Sequence, residues 1–248
     1  MQITPAHSDG CNHGARRSFL KAAGIATVAG LLGAGSLAQL AYAAALTKAQ
    51  REKLTPDEII AMMKRGNERF RSGKGSKQDF LAQQRASAKG QYPAAVILSC
   101  IDSRASAETI MNLGIGDVFN ARVAGNIANE DILGSMEFAC AAAGAKVVLV
   151  MGHTACGAIA GAIDDVKLGN LTGLLARIQP AVKAAAYQGD RSAKNNAFVD
   201  AVARKNVELT MESIQKGSLV LSELKAKGAI NIVGAMYDIA SGKVDFFS

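Results

Sequence analysis

The stretch VILSCIDSR, residues 96–104, runs from an unbroken apolar segment straight into a thiol, a carboxylate and a guanidinium, on Cys100, Asp102 and Arg104. An apolar run of strand length with no polar alternation is the pattern of a parallel strand covered on both faces. A second stretch, VVLVMGHTACG at 147–157, has the same form and ends in His153 and Cys156. Strands of one parallel sheet point the same way, so their carboxyl ends share an edge. Cys100 and His153 are therefore expected on one rim, with Cys156 just beyond.

The chain around these strands alternates between helix and strand patterns. LTPDEIIAMMKRGNERFRSGK (54–74) opens with Thr55, Pro56 and Glu58, a capping box with proline at the first helical position, and predicts a helix to about Phe70. A short helix is expected inside the polar segment 73–93. After the strand AAVILSC come a short helix in SAETIMNLGIG, a strand in DVFNARVAG, a helix in EDILGSMEFACAAAG, the strand KVVLVMGH and a helix starting in TACGAIAGAIDD. Residues 170–228 carry only helical patterns, and AINIVGAMYDIASGKVDFF closes as two strands joined at Ser241-Gly242. The expected fold is α/β: a mainly parallel sheet of about four to five strands flanked by helices, with an N-terminal helical arm and a C-terminal hairpin. Residues 44–248 read as a single domain without internal repeats.

Residues 1–43 read as an address. RRSFLKAAG (16–24) is a twin-arginine signal, followed by a weakly apolar Gly- and Ala-rich stretch and the small-residue site AYA, which predicts cleavage after Ala43. The competing reading, a membrane anchor, fits poorly with that composition and that site, so no stable membrane association is expected after cleavage. The mature chain is expected in the periplasm. Of the net charge of +7, Arg16, Arg17, Lys21 and Asp9 belong to this leader, which leaves 25 basic against 20 acidic residues. The remaining basic residues are scattered along helical segments without interleaved aromatics, a solvated face rather than a nucleic-acid surface. Cys11 also falls in the leader. Cys100, Cys140 and Cys156 remain, an odd number that argues against a disulfide framework, and Cys140 reads as a small buried helical residue.

Two thiolates and one imidazole suit tetrahedral zinc, and three protein ligands is the number of a site that keeps one position open. H-x2-C alone also fits a histidine satisfied in a core edge; the second strand-end cysteine shifts the balance toward metal. Asp102 has two readings. It can serve as a fourth ligand or hydrogen-bond acceptor held by Arg104, or Asp102 or Ser103 can cap the following helix.

CIDSR and GHTACGAIAGAI, with GDVFNARVAGN and SMEFAC between them and GAMYDIASGKV near the end, resemble the β-class carbonic anhydrases. The resemblance runs from about Thr55 to the C-terminus. It implies one zinc per chain on Cys100, His153 and Cys156, an Asp102-Arg104 dyad, and reversible hydration of carbon dioxide to bicarbonate and a proton by zinc-bound hydroxide. It further implies that Gln91 supplies a donor near the zinc, often across a dimer interface, and that Phe119 and Phe138 line the substrate pocket, with ordinary core packing as the alternative for both rings. A homodimer or dimer-based tetramer is expected. Ala107 and Val123 stand where many members have proline and asparagine. Some bacterial members close the site by moving the dyad aspartate onto zinc, and bind inhibitory bicarbonate with a tryptophan and a tyrosine. This chain has no Trp, and Phe138 occupies the tyrosine's place, so that pocket is expected to be absent and Asp102 to stay on Arg104. Two other functions remain open: hydrolysis of carbon disulfide or carbonyl sulfide on the same fold, and a non-catalytic zinc-binding or redox role.

Overall fold

The computed structural model describes residues 45–75 and 77–248. The twin-arginine stretch and the expected cleavage point at Ala43 lie outside the described residues. Among the described residues, no helix is long and apolar enough to cross a membrane.

The first decisive stretch becomes β1 (Ala95–Ser99), buried at every position, and the second becomes β3 (Val147–His153), equally buried. With β2 (Val118–Arg122), β4 (Asn231–Tyr237) and β5 (Val244–Phe247) they form a five-stranded sheet in the order β2-β1-β3-β4-β5. The first four strands are parallel, and β5 turns back antiparallel on β4. Register aligns Ser99 with both Arg122 and Met151, and His153 with Tyr237. Cys100, one step past Ser99, and His153, two steps past Met151, therefore share the carboxyl edge.

The arm before the sheet holds α1 (Lys48–Lys53), α2 (Pro56–Arg71) and α3 (Phe80–Ser87). Thr55 caps α2 as expected: its hydroxyl accepts from Glu58 N (3.2 Å), and the Glu58 carboxylate accepts from Thr55 N (2.7 Å). A second capping box, Thr47 with Gln50, starts α1. The buried Arg51 of α1 donates to Ala143 O (2.8 Å), and Lys146 Nζ donates to Glu52 O and Leu54 O, which fastens the arm to the chain entering β3. Gly66 lets α2 lie directly on a neighbouring backbone, because a Cβ there would sit 1.8 Å from Met111 O. One residue along, buried Asn67 donates to Ile110 O and Gly242 O and accepts from Val244 N, tying the arm to the closing hairpin.

Past β1, α4 (Ala107–Ile110) is a single turn, and α5 (Glu130–Glu137) precedes β3. The sequence reading treats EDILGSMEFACAAAG as one uniform helix; it widens into a π turn at Phe138–Ala142, closed by Ala143 N donating to Phe138 O. Cys140 in that turn is buried, and burial pushes its thiol up to about 12, so it stays an inert thiol. The region 157–226 supplies α6 (Gly157–Ile163), α7 (Gly169–Ala176), α8 (Gln179–Ala184), the 22-residue α9 (Asn196–Gly217) and α10 (Leu219–Ala226). Alternation along the strands sends Ile97 and Leu149 to the α2 face and Leu98 and Val150 to the α9–α10 face. A third apolar group, including Ile159, Ile178, Phe198 and Val202, lies under the carboxyl edge around Cys100 and Cys156.

One carboxylate sits against the α2-side core. Asp117, just before β2, accepts from Gly114 N (2.7 Å) and abuts Leu46, Ile59, Met63 and Leu113; burial raises its pKa to about 6. The folded chain holds this proton to about pH 6, whereas an unfolded aspartate releases it near 4, so stability from this residue falls as pH rises between about 4 and 6. Asp117→Asn keeps an acceptor without the charge. Denaturant melts across pH 4–7 should show the variant gaining on the parent with rising pH, by up to about 3 kcal/mol; a pH-independent difference would show that Asp117 ionises freely in the fold.

Candidate metal centre

Cys100 leaves the end of β1, His153 ends β3, and Cys156 stands at the start of α6. Their ligand atoms all lie within 4.8 Å of one another, and all three residues are buried. Ala155, with a left-handed φ of 51°, makes the sharp turn that brings Cys156 back beside His153. The two sulfurs are 3.9 Å apart. His153 Nδ1 is 2.9 Å from Thr154 O, which places the proton on Nδ1 and leaves Nε2 free to bind. Nε2 is buried and has no hydrogen-bond partner. His153 is also the sole histidine after residue 13.

Without a cation the sulfurs behave as one acid. The hydrogen bond with Cys156 pulls the Cys100 thiol down, aided by His153 and by Gly125 N donating to Cys100 Sγ (3.3 Å). The same contact with the Cys100 thiolate, together with burial, pushes Cys156 far above its usual range. The two sulfurs thus oppose one another's ionisation. A divalent cation removes that conflict, and an orphaned imidazole nitrogen beside two sulfurs is the donor set that zinc takes.

Asp102 lies against this group with its Oδ2 3.8 Å from His153 Nε2. Its carboxylate is gripped side-on by Arg104: Oδ1 accepts from the Arg104 backbone N and Nε, both at 2.9 Å, and Oδ2 accepts from Nη2 at 2.7 Å. The Arg104 side chain holds Asp102 well below the usual carboxylate range, and the backbone N–H and His153 add to this. Asp102 is not a helix cap. The residue before α4 is Ser106, whose side chain makes no capping bond.

Arg122, which the sequence reading passes over as a site residue, braces the same loop from β2. Its Nε donates to Cys100 O (2.9 Å) and its Nη2 to Asp102 O (2.5 Å). The signal was available in principle: a parallel neighbour of Ser99 must lie beside Cys100, but only the register identifies that neighbour.

The residues expected to bind substrate lie elsewhere within one chain. Gln91 is exposed and precedes β1, at the amino end of a strand whose carboxyl end carries Cys100. Phe119 pairs with Val96 in the amino half of β1 and meets Phe138 edge-on, with centroids 6.0 Å apart and rings at 68°. The two rings line an open depression on the β2 edge together with Val96, Asn120, Ala121 and residues of α5, and none of Cys100, His153 and Cys156 lines it. Phe138 is 56% exposed, so it is not an ordinary core residue. Register separates these residues from Cys100 as firmly as it joins Cys100 to His153.

Fold and site together define a mostly parallel α/β protein whose sheet edge carries a three-ligand, metal-type centre beside an ionised Asp-Arg pair. The family profile described as "Carbonic anhydrase" matches residues 95–244, which spans both ligand stretches. "Carbonic anhydrase 2" of Mycobacterium tuberculosis is 34% identical over 187 residues, covering 73% of this chain and 87% of that protein. Among solved structures, tetrameric β-carbonic anhydrases from Sordaria macrospora match with a TM-score of 0.57 at 26% identity, over 65% of this chain and 83% of that one. The β-carbonic anhydrase CafA of Aspergillus fumigatus matches with a TM-score of 0.58 at 28% identity, over 66% and 79%. The chain belongs to the carbonic anhydrase family, in its β class.

Replacing Cys156 by serine should abolish or strongly weaken metal binding, since a hydroxyl is a poor substitute for a thiolate on zinc. Elemental analysis should give about one zinc per parent chain and little in the variant. Full occupancy in Cys156→Ser would remove that residue from the ligand set.

Proposed function

We propose that this chain hydrates carbon dioxide reversibly to bicarbonate and a proton, with zinc held by Cys100, His153 and Cys156. The observation that carries the reading is the Asp102 carboxylate, locked side-on by Arg104 and 3.8 Å from the unpartnered Nε2 of a buried imidazole. Zinc, when bound, lowers the pKa of water in an open fourth position toward about 7 and so supplies a nucleophile at neutral pH. The two thiolates cancel the charge of the cation, which tempers that effect and puts more of the task on protein groups. Asp102 is acceptor-only while ionised, so it would accept a hydrogen bond from that nucleophile and orient its oxygen toward the carbon of the substrate. Arg104 keeps Asp102 ionised and fixes its plane. Paired in this way, Asp102 would stay off the metal.

We infer further that the working form is a homodimer or a tetramer built from it. The exposed Phe138, Phe80, Leu81 and Ile115, and the open edge of β2, support this. A second copy is also the means by which Gln91, Phe119 and Phe138 would reach a metal centre they do not approach within their own chain. RRSFLKAAG and AYA support export by the twin-arginine route, cleavage after Ala43 and a periplasmic mature protein.

Stopped-flow hydration of carbon dioxide by metal-analysed protein lacking residues 1–43, with carbon disulfide as a parallel substrate, tests the reading. Turnover of carbon disulfide alone would assign the chain to the sulfur substrates, and turnover of neither would leave a zinc-binding or redox role. Arg104→Ala should retain its zinc yet lose about 10–100-fold in kcat/KM, the usual effect of removing a group that orients a site residue. Loss of zinc in that variant would show that Arg104 supports the metal rather than Asp102. Sedimentation should give a dimer or tetramer; a monomer with full activity would contradict a shared site.

A further inference from the structure

Both ligand loops are held from behind by one element, α9, which carries neither a ligand nor a dyad residue. We propose that Asn206 and Asp200 of α9 are positioning residues for the metal centre, Asn206 acting on Cys100 and Asp200 on the turn between His153 and Cys156. This rests on the reading of those three residues as zinc ligands.

Asn206 is 2% exposed, and its Nδ2 donates to Gly125 O at 2.7 Å. Gly125 has a left-handed backbone (φ 67°, ψ 19°) and donates its own N–H to Cys100 Sγ at 3.3 Å. A side chain is excluded there, since a Cβ would stand 2.6 Å from Ile178 Cδ1. Glycine at that position is free to swing, and the two peptide planes that meet at its Cα carry the carbonyl and the N–H. Anchoring the carbonyl on Asn206 removes this freedom and keeps the N–H on the sulfur. An N–H donor on a thiolate favours the ionised form and withdraws charge from it, so Asn206 acts on the electron density that Cys100 offers a metal.

Asp200 does the parallel task on the other loop. Its Oδ1 accepts from Ala155 N at 2.9 Å. Ala155 is the left-handed, non-glycine residue of the turn, a conformation that persists only where its surroundings hold it. Its neighbour Thr154 is held by the hairpin, donating to Tyr237 O and accepting from Ile239 N. Asp200 is thus the side chain on the remaining link. The six steps from Asp200 to Asn206 rise about 9 Å along the helix, and the two side chains bond to the two loops. Just past Asn206, α9 presses on β3 next to His153: a Cβ on Gly152 would meet Val207 Cγ2 at 2.7 Å.

Cobalt substitution reads this directly, because sulfur-to-cobalt charge-transfer and visible ligand-field bands report thiolate donation and geometry without reference to turnover. Asn206→Ala should shift the charge-transfer band and speed transfer of zinc to a chromophoric chelator by about 10–100-fold. Asp200→Ala should shift the ligand-field bands and speed release similarly, while Asp200→Asn, which keeps an acceptor for Ala155 N, should restore both. Ile214→Val, a cavity-forming change about two turns further along α9, controls for simple loss of stability: it should lower the melting temperature and leave the bands in place. Asp200 is only partly buried, so its pair of variants decides the question even if Asn206→Ala fails to fold. Bands and release rates in the Asp200 and Asn206 variants that match the parent would overturn the proposal while leaving the zinc reading intact. A parent protein with no sulfur-to-cobalt band would overturn the zinc reading, and this proposal with it.

Discussion

Two buried sulfurs 3.9 Å apart cannot both be anionic unless a cation lies between them. Cys100 and Cys156 are covered by the same apolar group under the carboxyl edge, so water cannot screen them. Ionisation of one sulfur opposes ionisation of the other. His153 sharpens the demand, since its Nε2 faces the same space with no partner, and a buried imidazole nitrogen left unsatisfied is a cost that a folded chain rarely carries without use. The chemistry of these three side chains therefore suits an ion.

Such a cluster tolerates little movement, and the sheet supplies the rigidity. β1 and β3 are adjacent, parallel and buried at every position, and their register brings Cys100 and His153 to within one residue of the same height. The surrounding bonds are mostly to backbone. Arg122 holds the carbonyls of Cys100 and Asp102, Gly125 reaches the sulfur, and Thr154 is tied to the closing hairpin. Each comes from a different element, so the geometry of the centre is over-determined. The inert Cys140 shows the contrast: the same side chain, buried in a π turn, has its pKa raised by burial and keeps its proton.

The Asp102-Arg104 pair works on a shorter length scale. Two residues apart at the exit of a strand, the side chains meet without help from the rest of the fold, and the backbone N–H of Arg104 joins the same carboxylate. Arg104 is half exposed, so the pair adds little to stability, in line with surface ion pairs in general. Its value lies in orientation, keeping an acceptor-only carboxylate beside His153.

Sequence by itself determined what depends on short spans: the buried parallel strands, the Thr55 capping box, the closing hairpin at Ser241-Gly242, the Asp102-Arg104 pair, and the delivery of Cys100 and His153 to one edge, which follows from strand direction alone. Tertiary structure decided what depends on neighbours distant in the chain. That Arg122 braces the Cys100 loop required knowing that Ser99 and Arg122 pair; that Asp200 and Asn206 back the two ligand loops required the placement of a helix whose pattern shows only an apolar face. The separation of Gln91, Phe119 and Phe138 from the metal-type ligands was hidden for the same reason. Periodicity says which face of an element is buried, and register and packing alone say against what.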